Sequence, residues 1–184
     1  IGGTIAQFSQ APLVTPYIPV IIAALLSIVG LSRVKVATLE KQTFSIAPHL
    51  ELPAPKFKAL FYIVSFTAFC AFGSFSLFAS LAPSFIQDII PWHGPMVSGI
   101  TIASILLISA LIQFIFKTIN MHKALNIGLI SLTLSYIVLS VCMAMHWSVL
   151  FFMSVIFVGI GHGLGLLGAF ALIHHMTQTE NRAA

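Results

Sequence analysis

The sequence predicts an all-α, polytopic transmembrane helix bundle, and three observations carry that expectation. Of 184 residues, 59% are hydrophobic and only 7% are Asp, Glu, Lys or Arg, against roughly a quarter charged in an ordinary soluble domain. A mean hydropathy of +1.07 in a 19.9 kDa chain means that most side chains favour hydrocarbon over water. Five apolar stretches contain no Asp, Glu, Lys or Arg, and each approaches the about 20 residues needed to cross a bilayer. No stretch alternates with the period of 2 that barrel strands would show.

The stretches are Pro12 to Leu31, Ala59 to Leu81, Met96 to Phe116, Ala124 to Met145, and Ser148 to Ile173. Ile1 to Gln10 reads as the tail of an earlier span, because Gly2, Gly3, Ile5 and Ala6 run into the polar Gln7 to Gln10. The first complete span has Pro12, Pro16 and Pro19 near its N-terminal end, where missing N–H groups do least harm. The chain opens on Ile1 rather than Met and carries no basic-then-apolar signal pattern, so a piece of a longer protein is expected. Three parts follow: 1–31, an end of one span plus one complete span; 32–58, a basic linker; and 59–184, four further transmembrane helices.

Loop charges set the direction of each span. The long polar segment Ser32 to Lys58 holds Arg33, Lys35, Lys41, Lys56 and Lys58, with Glu40 and Glu51, and the positive-inside rule places it in the cytoplasm. Ala82 to Pro95 has no Lys or Arg; the next connection holds Lys117 and Lys123; the one around His146 and Trp147 has none; the end carries Arg182. Basic residues therefore alternate with the loops, and the five complete spans run in, out, in, out and in. Trp92 and Trp147 both fall in the outer connections, as interfacial aromatic anchors should.

A helix advances about 100° per residue, which sorts the second complete span into faces. Tyr62, Ser65, Phe69, Gly73, Ser76 and Ser80 fall on one side, and Phe57, Phe61, Phe72, Phe75 and Phe78 broadly on the other. The Phe-rich side is expected to meet lipid or bulky neighbours, and the small, hydroxylated side another helix or a wet cavity. Ser98, Thr101, Ser109 and Gln113 share a face of the third span, and Asn126, Thr133, Tyr136 and Ser140 a face of the fourth. Uncharged polar faces suit a weakly polar passenger; they equally suit hydroxyls bonded to their own backbone, or to a neighbouring helix, at packed interfaces.

Gly159, Gly161, Gly163, Gly165 and Gly168 crowd the fifth span. In water each costs a helix roughly 1 kcal/mol relative to Ala, so the run calls for close helix approach, a bend, or ligand access to the backbone. A phosphate cradle is excluded, because no strand precedes the run and no Lys or Ser/Thr stands at the required spacing. His162, inside the run, is the one ionisable group near the middle of any of the five spans. Intramembrane ionisable residues are expensive and usually face the bundle interior. A transport residue that bonds a solute or takes up a proton, and a neutral imidazole bonded to a neighbouring helix, both fit. His174 and His175 fall at the cytoplasmic end.

Other function classes lack residues. Glu40, Glu51, Asp88 and Glu180 all lie outside the spans, so no intramembrane carboxylate carries acid–base chemistry, and no nucleophile–base pair is readable. Neither an enzyme, a metal site nor a cofactor is expected. Cys70 and Cys142 lie in apolar runs without CxxC spacing and read as packing residues. A net charge of +4, scattered over loops, does not make a nucleic-acid surface.

The order of elements resembles the middle of a major facilitator superfamily (MFS) transporter, from the tail of helix five through helix six and a long basic cytoplasmic linker to helices seven to ten. Gly2-Gly3 looks like the closing pair of the helix-five GPxxGG antiporter motif. Lys117 to Lys123 occupies the place of the GxxxDRxGRR-type loop between helices eight and nine, though Thr118-Ile119-Asn120-Met121 supplies no Asp, Gly or Arg. The resemblance implies a secondary transporter of a small organic solute in a cell membrane, working by alternating access. The Gly2-Gly3 remnant points to export, for which proton exchange with His162 as the coupling candidate is expected, with an uptake permease for a sugar or metabolite as the alternative. It further implies that helices seven and ten face the central pathway, placing Tyr62, Ser65, Phe69, Gly73, Ser76 and His162 along it, with Gly159 and Gly163 beside His162. The partners expected are lipid, a small-molecule substrate, protons and the rest of the same transporter chain. A haem- or quinone-binding redox subunit is the reading of another class; it would need a second histidine facing His162 at matching depth.

Overall fold

The computed structural model describes residues 1–34, 55–92 and 94–181, and all regular structure among them is helical. Six α-helices follow in order: α1 Gly2–Phe8, α2 Tyr17–Arg33, α3 Lys58–Ile89, α4 Pro95–Ile115, α5 Met121–Met145 and α6 Ser148–Asn181, with a 3₁₀ turn at Pro55–Phe57 leading into α3. Most of the expected basic linker, residues 35–54, lies outside the described residues, as do His93 and Arg182.

Four helices are long and apolar enough to cross a membrane: Pro55–Ser80, Pro95–Ile115, Met121–Met145 and Ser148–Met176. The chain is thus built as a membrane protein. The expectation of five complete spans needs adjustment at the first. Residues 12–16 form turns, and α2 has only 17 residues, roughly 26 Å at 1.5 Å per residue, short of a hydrocarbon core of about 30 Å. Pro12 and Pro16 explain the late start, since neither can donate a helical hydrogen bond, whereas Pro19 sits in the first turn of α2 where none is needed. At two later boundaries helix outlasts hydrophobicity. The helix α3 runs on to Ile89 and α6 to Asn181, because intrahelical bonding does not require an apolar side chain.

Helix α6 is the hub. It packs against α5, α4 and α3, while α4 and α5, although consecutive, share no substantial contact. The core is layered around it: Ala71, Phe78, Ile105, Leu132, Cys142, Phe151 and Val158 in one cluster, and Val64, Leu125, Ala169 and Leu172 in another. Lipid gives apolar side chains no reason to leave it, so the association of such helices rests on close backbone approach. The glycines of α6 supply that on three sides. A Cβ on Gly161 would lie 2.8 Å from Leu132 N on α5, one on Gly163 2.7 Å from Ser109 O on α4, and one on Gly168 2.8 Å from Met121 O. Gly165 faces Thr67 and Ala71 of α3, and Gly128 of α5 answers it from the other side. Close approach therefore accounts for the run.

Hydroxyls tie the bundle together. Ser131 Oγ donates to Phe157 O (2.8 Å), Tyr136 Oη to Ser74 Oγ (2.9 Å), and Ser148 Oγ to Ile89 O (2.6 Å). Others, including Thr67, Thr101, Thr133 and Ser140, bond the carbonyl four residues back on their own helix. The short helix α1 docks on the start of α4. Gly3 meets the Pro95 carbonyl and Gly99, and Gln7 Oε1 accepts from Met96 N at 3.1 Å. Gly94, with φ of +115°, has no side chain to cap α4, so Gln7 caps it from another element.

Helix α2 contributes no buried residue to this arrangement. Cys70 and Cys142 are both free thiols, and Cys142 Sγ donates to Trp147 O at 3.3 Å.

Candidate functional site

The glycine run brings the α6 backbone close to α4 and α3 at one level, and His162 is the polar side chain carried into that junction. The residue is 5% exposed. Its Nδ1 shares a hydrogen bond of 2.9 Å with Ser109 Oγ on α4, and Gln113 Nε2, one turn along, donates to the same Oγ at 3.2 Å. Ser109 and Gln113 stand four residues apart and so share a face. From α3, Phe72 meets the imidazole edge-on with centroids 5.7 Å apart, and Phe75 lies tilted at 5.8 Å. His162 Nε2 is buried with no hydrogen-bond partner among the described residues. A buried polar atom left in that state costs about 1–3 kcal/mol.

The sequence-expected residues are distributed as follows. Ser109 and Gln113, read only as part of a polar face, are the ones joined to His162. Tyr62, Ser65, Phe69, Gly73 and Ser76 of α3 are all exposed, Tyr62 at 65% and Phe69 at 72%, and Gly73 has open space where a Cβ would be. No described helix covers that face. The opposite side of α3 packs inward through Val64, Thr67, Ala71, Ser74 and Phe78. Phe72 and Phe75 both meet His162, the bulky neighbour expected for the Phe-rich side, and Phe72 also keeps 52% of its surface exposed. Gly159 and Gly163 lie in the α4 contact, against Ile108 and Ser109. On α5 the buried polar positions are Ser131 and Ser135, whereas Asn126, Thr133 and Ser140 are exposed.

Lys117 and Lys123 are exposed at the α4–α5 connection, with Lys117 Nζ 5.5 Å from the Phe114 ring centroid. In that loop Asn120 Oδ1 accepts from His122 N and Lys123 N (3.0 and 3.3 Å), capping α5. Among the described residues no group of three or more His, Cys, Asp or Glu converges as metal ligands.

The pairing of His162 with Ser109 could not be read from sequence, because 53 residues separate them and only the α4–α6 crossing brings them together. A readable hint existed in the small residue Gly163 next to the histidine, which marks close approach. Helix α4 also has a groove on its other flank, of about 220 Å³, between Ile100, Thr101, Ser104, Ile108, Phe152 and Val155. Thr101 and Ser104 there donate to their own backbone, so the groove presents a mainly apolar wall. Comparison of the chain with protein-family models, curated proteins and solved structures finds no match.

Proposed function

We propose that the chain is part of a secondary transporter that moves a small organic solute across a cell membrane, plasma or inner, by alternating access, with proton exchange and in the export direction. The observation that carries this reading is the uncovered face of α3. A strip of Tyr62, Ser65, Gly73 and Ser76, shared with the exposed Phe66 and Phe69 rings, is left open beside the Phe72 ring that covers His162, while the opposite side of the same helix is packed. Serine and glycine gain little from hydrocarbon, and an uncharged face that mixes hydroxyls with aromatic rings beside a buried imidazole suits a path for a weakly polar solute between two helical halves. The MFS-like order of elements supports the same reading, with residues 32–58 on the cytoplasmic side. The redox reading is less well supported, since the other described histidines, His122, His146, His174 and His175, are all exposed.

The full-length protein in liposomes, given an imposed pH gradient and a panel of radiolabelled neutral and weakly polar compounds, tests the proposal. Gradient-dependent flux of at least one compound is expected, and its sign distinguishes export from uptake. His162→Gln should keep a hydrogen-bonding group yet flatten the pH dependence of flux. No flux for any compound would overturn transport; an unchanged pH profile at normal yield would remove His162 from proton exchange.

A further inference from the structure

The direction of the hydrogen bonds around His162 carries more than its burial. Gln113 Nε2 donates to Ser109 Oγ. The Ser109 hydroxyl proton is then free to point at His162 Nδ1, the partner it has at 2.9 Å. With the Ser109 proton on that contact Nδ1 accepts, and a neutral imidazole whose Nδ1 accepts carries its proton on Nε2. Nε2 is also the atom that no described residue pairs with. In that arrangement the network holds an N–H donor, with no acceptor among the described residues, against the Phe72 and Phe75 rings.

Access runs past Phe72. That ring is 52% exposed although its inner edge covers the imidazole, and its neighbour Gly73 has nothing within 4 Å of a Cβ position. Phe72 is thus the side chain that a solute arriving from the open face of α3 would have to displace to reach the imidazole. The stretches Ala59 to Phe116 and Ala124 to Ile173 contain Asp88 as their one charged residue, beyond the Pro55–Ser80 span. An ionic solute would meet no countercharge inside the spans, and burying an unpaired charge is far costlier than burying a carbonyl.

We infer that His162 Nε2 and the Phe72 and Phe75 rings form a binding point for a neutral solute that carries a hydrogen-bond acceptor, such as a ketone or amide carbonyl, on an apolar, ring-sized body. This rests on the transport reading for its physiological role, but the binding itself is separable from it. The acceptor takes the Nε2 proton, the apolar body stacks between the phenyl rings, and Ser109 with Gln113 acts in positioning by holding the tautomer.

The test uses two probes of matching shape, acetophenone with a carbonyl and isopropylbenzene without one. The full chain, with ¹⁵N-labelled histidine, is held in lipid nanodiscs and its imidazole nitrogens are read by magnetic resonance. The free protein should show His162 neutral and protonated at Nε2. Acetophenone should shift the Nε2 signal and bind at least about tenfold more tightly than isopropylbenzene, the factor that one hydrogen bond of about 1.4 kcal/mol supplies. Ser109→Ala should populate both tautomers and reduce that preference, while Phe72→Ala should weaken both probes alike and speed their exchange. Equal binding of the two probes by the unmutated chain, binding of neither, or a proton on Nδ1 would overturn the proposal, and none of these readings depends on a variant folding. Discrimination between the probes without solute flux in liposomes would remove the transporter and leave the site; flux without discrimination would do the reverse.

Discussion

At Gly128 and Gly163 a single added methyl group has nowhere to go. A Cβ on Gly128 would lie 2.6 Å from Gly165 N and 2.9 Å from Gly165 Cα, and one on Gly163 2.7 Å from Ser109 O. The obstacles are backbone, so relief requires the helices to part, not a side chain to rotate. Gly128→Ala and Gly163→Ala should each destabilise the bundle by about 1–3 kcal/mol. Gly73→Ala, entering open space, should cost nothing and can gain about 1 kcal/mol of helix propensity. Thermal or denaturant midpoints in mild detergent check this, and an equal loss at Gly73 would show that the glycines act through propensity and not through contact. The same scale explains His162: two rings and a hydroxyl surround the imidazole, yet one nitrogen has no described partner.

The elements differ in how they are ended and held. Helix α5 has a conventional start, with Asn120 accepting two backbone N–H groups, and ends at His146 in the left-handed conformation with φ of +54°. Asn120→Ala should cost about 1 kcal/mol. It should also speed hydrogen exchange at the His122 and Lys123 amides while leaving α6 unaffected; unchanged exchange there would mean the cap contributes nothing. Helix α4 has its Pro95 at the first position and borrows its cap from Gln7, so its N-terminus depends on α1 staying docked. Helix α6 needs contacts on three sides, which explains why its polar and apolar residues follow no single stripe. Its neighbours α3 and α4 keep one side each for α6; the far side of α3 faces outward, and α4 also takes α1 at its start.

For the whole molecule, the short connections and alternating loop charges make the orientation testable with cysteine labels. In a background lacking Cys70 and Cys142, Lys117→Cys and Trp147→Cys place single thiols at the two exposed connections that flank α5. A membrane-impermeant maleimide added to whole cells should label the Trp147 position and spare the Lys117 position until the membrane is permeabilised. The opposite pattern would invert the topology, and labelling of both from outside would remove α5 as a span. Helix α2, apolar, short and without a buried residue, stands outside the packed core, and outward faces of α3, α4 and α5 are also left uncovered by the described helices.

The sequence by itself determined the helical class, the membrane as solvent and, to within a few residues, the last four spans, because each depends on composition and local periodicity. It also singled out His162, since an imidazole in a charge-free span is conspicuous from the chain alone. Span ends were less legible: Pro12 and Pro16 delayed α2, and α3 and α6 outran their apolar runs, because backbone hydrogen bonding and hydrophobicity stop at different residues. Only the tertiary structure decided which faces are covered. The helical wheel set Tyr62 and Gly73 apart from Phe75, yet it could not say that Phe72 and Phe75 meet an imidazole while the hydroxyl side stays open. Nor could it join Ser109 to His162 or set Gly128 against Gly165, because those pairings arise where α6 crosses α4 and α5, and helix crossings are set by packing between segments distant in the chain.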